Sequence, residues 1–318
     1  MLTLAELEAA HALVREALQP SPALRWPLLC ERFGAEVVVK HENHNPTGAF
    51  KVRGGLTYVD ALIRRTPGTR ALVSATRGNH GQSLAFAARR AGIEPIIFVP
   101  HGNSSEKNAA MRTLGATLIE HGHDFQAARE GAARYAEAHG LEMVPSFHRD
   151  LVRGVATYAL ELLRAHPDLD TLYVPVGLGS GICGAIAARD ALGLRTEIVG
   201  VQARGAPAYA LSFGAGRPVM TDSADTLADG VATRAADPQA LEIIIKGAAR
   251  IVLVSDDEIA EAVRAYWTDT HNLAEGAGAA PLAAAMQERP TGKIGLVLSG
   301  GNIDFALFQS WIVQGTNT

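Results

Sequence analysis

Cysteine is scarce in this chain of 318 residues: there are two, Cys30 and Cys183. They lie too far apart for a short metal-ligating or disulfide spacing, so a reducing, cytoplasmic setting is the expectation. Charge is sparse as well, at 19% of residues with a net charge of −4. No basic stripe is available to follow a nucleic-acid backbone. No window approaches the roughly 18 consecutive apolar residues of a membrane span. The first helix-like run, residues 4–18, carries Glu6, Glu8, His11, Arg15 and Glu16 and is no signal-peptide core. There is no G-x-x-x-x-G-K-[S/T] loop, which removes nucleoside triphosphatases of that class. Low-complexity segments and sequence repeats are also missing. The 47% hydrophobic remainder is that of an ordinary globular protein, long enough for one large or two moderate domains.

What is present is alternation. Short apolar runs at 37–40, 71–74, 95–99, 117–120, 171–176, 197–201, 251–254 and 294–298 read as strands. Helical patterns separate them, at 54–64, 81–91, 104–114 with Ser105 as N-cap, 125–139, 152–165, from the loop after Val176 to Leu192, 256–271 and from Ala277. The stretch between 201 and 251 reads as mostly loop. Strands alternating with helices predict an α/β fold of mainly parallel, doubly covered sheets, and the two blocks of alternation predict two lobes with a cleft between them.

Three glycine loops follow strands. Thr76-Arg77-Gly78-Asn79-His80-Gly81 can present helix-start amides to a carboxylate, and Asn79 can both donate and accept toward a ring substituent. Gly177-Leu178-Gly179-Ser180-Gly181-Ile182-Cys183-Gly184 opens a helix, the setting for phosphate held by backbone N–H groups. It contains a formal G-x-G-x-x-G, but the next strand ends Val201-Gln202-Ala203-Arg204, without the carboxylate a dinucleotide ribose needs. Ser299-Gly300-Gly301-Asn302 ends the last strand, where open α/β sheets place ligands. Taken singly, the first and third of these loops read more readily as ordinary turns.

A fourth segment, Asn45-Pro46-Thr47-Gly48-Ala49-Phe50-Lys51-Val52-Arg53-Gly54-Gly55, sets one lysine just after a Pro/Gly turn. A lysine constrained there and shielded from water can lose its proton and attack a carbonyl, making Lys51 a candidate Schiff-base lysine for pyridoxal phosphate.

In this order the four motifs resemble the fold-type II pyridoxal-phosphate enzymes, and among them the serine/threonine dehydratase (threonine ammonia-lyase) family, which is related to serine racemase. The likeness runs from about Ala35 to Asp304. It implies a tryptophan synthase β-like fold, with residues 1–50 and 148–318 as a large cofactor-binding domain and 51–147 as a small one. It implies that Lys51 carries the cofactor and later takes the Cα proton, with Phe50 lining the ring and Asn79 bonding its 3′-oxygen. Gly177, Leu178, Gly179, Ser180 and Gly181 would hold the phosphate, and Ser299 would face the pyridine nitrogen. Thr76, Arg77, Gly78, Asn79 and His80 would receive the substrate. Glu275 matches a family acid near the cofactor, or is a solvated helix-start carboxylate. A serine at the ring nitrogen makes the cofactor a weaker electron sink, which suits prompt β-elimination over a long-lived carbanion. The expected reaction is dehydration and deamination of a 3-hydroxy L-amino acid, L-threonine or L-serine by default, with the cofactor phosphate as acid for the departing hydroxyl. β-Phenylserine, 3-hydroxyaspartate, or β-replacement as in cysteine synthesis are the alternatives. The family also implies a homo-oligomer, commonly a dimer or tetramer, with a dimer expected here.

Ala49, Leu178 and Ser180 depart from the family pattern without changing the expected chemistry, and two further departures do change it. Arg77 stands where serine racemases carry a serine acting on the opposite face of Cα, and an arginine is a poor base, so racemisation is expected to be weak or absent. Arg77 would instead meet a substrate carboxylate, stack on an aromatic substituent, or face outward. Gln202 replaces the glutamate of metal-dependent members, and a neutral amide is a poor ligand for a hard divalent cation, so no metal site is expected.

Overall fold

The computed structural model describes residues 2–313. Among these, ten strands form two sheets. The strands are β1 (Ala23–Arg25), β2 (Val37–His41), β3 (Ala71–Ala75), β4 (Glu94–Val99), β5 (Thr117–Glu120), β6 (Glu142–Met143), β7 (Thr171–Pro175), β8 (Glu197–Ala203), β9 (Arg250–Val254) and β10 (Ile294–Leu298). The first sheet runs β1-β2-β10-β7-β8-β9 and the second β5-β4-β3-β6. Every pairing is parallel except β1 with β2 at the edge of the first sheet. Valine- and isoleucine-rich runs buried on both faces are what a parallel sheet covered on two sides requires, and β2, β3 and β10 are buried at every position.

The helices are α1 (Leu4–Arg15), α2 (Pro27–Phe33), α3 (Lys51–Arg65), α4 (Asn79–Ala91), α5 (Ser105–Thr113), α6 (Phe125–His139), α7 (Arg149–Ala165), α8 (Ser180–Ala191), α9 (Ala208–Ala215), α10 (Pro238–Gly247), α11 (Asp256–Thr270), α12 (Gly276–Glu288) and α13 (Phe305–Val313). Around the first sheet, one layer of core packs Val37, Tyr173, Val201 and Leu298 beneath α11 and α12. The opposite layer packs Val38, Leu172 and Val174 beneath α7 and α8. The second sheet has its own two layers, built on Leu72 and Ile97 on one side and Val73 and Phe98 on the other.

Several sequence expectations shift here. The helix expected from Gly54 begins at Lys51, so the lysine sits in a helical first turn rather than on the turn itself. Gly54 lowers helix propensity, but a Cβ there would lie 2.8 Å from the Leu151 carbonyl oxygen, so the glycine lets α3 approach α7 closely. Ser104, not Ser105, caps α5: its hydroxyl accepts from the Lys107 amide at 3.1 Å. The stretch between β8 and β9, expected to be mostly loop, holds α9 and α10. Helix α10 has a legible start, Asp237 as N-cap with Pro238 at its first position.

Two features brace the elements that carry the site. Arg53, fully buried on α3, donates to Glu42 at 2.8 and 3.0 Å and to Glu161 at 2.8 and 2.9 Å. Lys40 joins Glu161 at 2.7 Å. This cluster ties β2, α3 and α7 together. Between the two sheets, Lys107 of α5 forms an ion pair with Asp229, and Ser104 donates to Asp304 at 2.5 Å.

Candidate active site

The four motifs converge where the carboxyl ends of β3, β7 and β10 meet the start of α3. The Phe50 amide donates to the Ser299 carbonyl at 2.9 Å, and the Gly301 amide to the Gly48 carbonyl at 2.9 Å, so the lysine turn is stitched to the segment after β10. Lys51 is half-buried. Its Nζ donates to the Ser180 hydroxyl at 3.3 Å and lies 4.9 Å from the centre of the Phe50 ring. Withdrawal from water pushes the amine down to about 8, opposed by the nearby Glu275 carboxylate.

Ser180 opens α8, whose first-turn amides have no acceptor within the helix. Gly179, at φ +93°, turns the chain into that helix in a conformation that favours glycine. A Cβ on Gly177 would lie 2.2 Å from the Gly230 carbonyl oxygen, so the loop runs tightly against its neighbour. Leu178 contributes backbone only; its carbonyl accepts from Tyr209 Oη at 3.0 Å. Gly181 packs toward Phe50 and accepts from Tyr158 Oη at 2.9 Å. This is an anion cradle of backbone amides with a hydroxyl and an ammonium at its rim.

On the other side, Thr76 Oγ1 accepts from the Gly78 and Gly81 amides at 3.0 and 3.3 Å, shaping the loop before α4. Asn79 Nδ2 donates to both Glu275 oxygens, at 2.8 and 3.1 Å. Glu275 is 3% exposed, which removes the solvated reading. Burial, reinforced by Asp229, raises its carboxyl to about 7. His80 is buried with no partner for Nε2, and burial beside Lys51 pushes it down to about 3, so it is neutral. Ser299 is buried at 2% exposure. Arg77 is exposed and lines a cleft of about 280 Å³ with Lys107, Asp229, Asn302 and Glu275. Glu275 and Asn302 therefore belong both to the polar constellation and to the cleft wall.

The donor set suits pyridoxal phosphate. It offers a helix start with free amides, a primary amine of lowered basicity beside it, and an unpartnered buried histidine nitrogen on a residue that feels the Lys51 charge. No group of three or more His, Cys, Asp or Glu side chains is arranged for a metal among the described residues. Gln202 is buried and spent on structure: its Oε1 accepts from the Ala210 amide at 2.9 Å.

Lys107 and Asn302 had no role in the sequence reading. Lys107 sits in a helix of ordinary polar composition, and its burial arises from packing between the two sheets, so no local signal marks it. Burial alone would lower its ammonium, but Asp229 more than compensates and the net shift is upward. Asn302 was visible as part of the terminal glycine motif, yet its partners are far away in sequence.

The sequence model of the family described as pyridoxal-phosphate dependent enzyme matches residues 14–300. An L-threonine ammonia-lyase of Geobacter sulfurreducens is 34% identical over 99% of this chain and 79% of its own length. One of Thermotoga maritima is 32% identical over the same shares. Among solved structures, the processed form of threonine deaminase isoform 2 from Solanum lycopersicum superposes with a TM-score of 0.92 at 27% identity, covering 99% of this chain and 92% of that one.

Proposed function

The chain belongs to the fold-type II family of pyridoxal-phosphate dependent enzymes, and from that premise we propose that it dehydrates and deaminates a 3-hydroxy L-amino acid, L-threonine or L-serine, to a 2-oxo acid and ammonia. The observation that carries this reading is Lys51: a half-buried amine lowered to about 8, held against Ser180 at the rim of the anion cradle. When bound, pyridoxal phosphate supplies an electron-withdrawing ring that acidifies the substrate Cα–H.

The protein's own groups do the rest. An amine titrating near 8 is partly neutral at physiological pH, so Lys51 can accept the Cα proton and return it. With the cofactor bound, Gly177 to Gly181 would hold its phosphate, Phe50 would lie against the ring, Asn79 would meet the 3′-oxygen, and the uncharged Ser299 would stand at the ring nitrogen, where it supplies no charge to hold a proton. The loop Thr76 to His80 takes the substrate carboxylate on its amides. Loss of the β-hydroxyl as water leaves an enamine. Its imine tautomer takes up one water and releases ammonia, so atoms balance.

Residues 1–50 and 148–318 form the cofactor-binding domain and 51–147 the smaller one, supported by the six-stranded sheet drawing its strands from both ends of the chain and the four-stranded sheet from the middle. The protein is a cytoplasmic homodimer in this reading; no helix among the described residues is long and apolar enough to cross a membrane.

The test is release of 2-oxo acid from L-threonine by the cofactor-loaded protein, with Lys51→Ala as control. Release that persists in the control would remove the lysine from the mechanism. A lysine-dependent yellow protein that releases nothing from L-threonine or L-serine would remove the substrate assignment.

A further inference from the structure

We propose that Asn302 is a positioning residue that fixes which end of the Asn79 side chain faces Glu275 and the ring; the inference rests on the cofactor reading above. Asn302 follows β10 and touches two other motifs at once. Its Nδ2 donates to the Thr47 carbonyl at 2.8 Å and to Asn79 Oδ1 at 2.7 Å. The lysine turn makes room for it: Gly48 stands at φ +66°, and a Cβ there would lie 2.4 Å from Asn302 Oδ1.

Hydrogen-bond direction sets the orientation of both amides. An asparagine amide has an accepting end and a donating end of nearly the same shape. Glu275 cannot decide between them, because an ionised carboxylate only accepts whereas a protonated one also donates, and this carboxyl titrates near neutrality. Left to Glu275 alone, Asn79 would be free to reverse as that proton came and went. A backbone carbonyl cannot reverse. Thr47 therefore fixes the donating end of Asn302, Asn302 fixes the accepting end of Asn79, and the Asn79 N–H groups are left pointing at Glu275. The chain of orientation starts at the lysine turn and ends at the acid, so the donor face presented beside the ring stays constant through the titration. The charged groups acting on Glu275 are Asp229, Lys107 and Lys51; none is altered by Asn302→Ala, whereas Asn302→Asp adds a carboxylate that raises Glu275 in its own right, so the alanine variant isolates orientation.

The test uses the pyridoxal-phosphate-loaded protein and Asn302→Asp and Asn302→Ala. The readout is the pH midpoint of the visible absorption band, which reports ionisations beside the ring. Aspartate offers no donor to Asn79 Oδ1, so Asn79 reverses and Glu275 must keep its proton to satisfy it; the midpoint should move up by about one pH unit or more. Alanine frees Asn79 and should move it by less, in the same direction. In an Asn79→Ala background, Asn302→Ala should move nothing further. Midpoints equal to wild type, with only a lowered melting temperature, would reduce Asn302 to a structural brace and overturn the inference. So would an equal shift in the Asn79→Ala background. If the aspartate variant fails to fold, the alanine pair alone decides. Failure of the underlying reading shows separately, as a protein whose band is absent or survives Lys51→Ala.

Discussion

Asn79 sets its side-chain nitrogen against both oxygens of Glu275, at 2.8 and 3.1 Å, and the carboxyl it contacts is 3% exposed. The bond favours the ionised acid, but burial outweighs it and the carboxyl is raised to about 7. A raised carboxyl binds its proton more tightly in the folded than in the unfolded chain. Its contribution to stability is therefore complete below the unfolded value of 4.5 and is lost as pH rises through 7. The loss amounts to about 3 kcal/mol. Glu275→Gln should stabilise the cofactor-free protein above pH 7 and leave it unchanged below 4.5, as read by urea denaturation at two pH values.

Lys51 obeys the same linkage with the opposite charge. Its folded value near 8 lies below the ordinary 10.5, so holding the ammonium in the fold costs stability below 8, and the cost fades as pH rises toward 10.5. Lys51→Met should abolish 2-oxo acid release by about 10³-fold or more. The same change should raise the cofactor-free protein's unfolding free energy at neutral pH by about 3 kcal/mol. A variant that is both inactive and more stable would mark the lysine as held there for chemistry. The gain should be larger in a Glu275→Gln background, because Glu275 attracts the ammonium and offsets part of its burial cost.

The buried cluster around Arg53 should behave as a structural unit. Removing its guanidinium leaves Glu42 and Glu161 facing each other without a cation other than Lys40. Arg53→Met should cost about 3–5 kcal/mol. Glu42 is held below the ordinary carboxyl range by Arg53 and Lys40 despite burial. The wild-type protein therefore loses this contribution as pH falls, and the gap between variant and wild type should narrow in acid. Denaturation curves at neutral and acid pH would show it.

Gly177→Ala places a methyl group 2.2 Å from the Gly230 carbonyl oxygen, a backbone atom that cannot swing aside. The cradle must shift, and pyridoxal-phosphate affinity should fall by about 10-fold to 100-fold. Titrating the cofactor into apoprotein and following the visible band measures this directly. Unchanged affinity would mean that the phosphate sits elsewhere.

Arg77 lines the cleft as an exposed guanidinium, and a group that stays protonated cannot exchange the substrate Cα proton. L-Serine should yield 2-oxo acid without D-serine on chiral chromatography. D-Serine appearing as fast as elimination would show that another group serves that face.

Eight of the parallel strands were legible as short apolar runs, and β10 falls at residues 294–298 as its pattern implies; the ninth, β6, is two residues long and carries no apolar run of its own. The motif loops were legible because tight turns and phosphate cradles restrict residue type locally. What stayed hidden depends on distant neighbours. The Lys107–Asp229 pair joins helix α5 to a short turn 122 residues further on, and nothing around either forecasts it. The start of Lys51's helix was misplaced because Gly54 weakens local propensity, while its compensation, close contact with Leu151, lies nearly a hundred residues on. Glu275 was undecidable for the same reason: a carboxylate at a helix start is ordinary, and only packing makes it buried.

Strand β10 lies between β2 and β7 at the centre of the first sheet, pairing with residues 37–41 on one side and 171–173 on the other. A nascent chain emerging from the ribosome can pair β1 with β2 and β7 with β8 and β9 early, but these halves share no hydrogen bonds until residues 294–298 arrive. The long-range closure is slow by nature, and it delivers Ser299 and Asn302 in the same step. The sheet's last stitch during synthesis is thus also the moment at which the cofactor site comes into being, so a chain stalled short of it would expose two unfinished sheet edges to aggregation and to quality control.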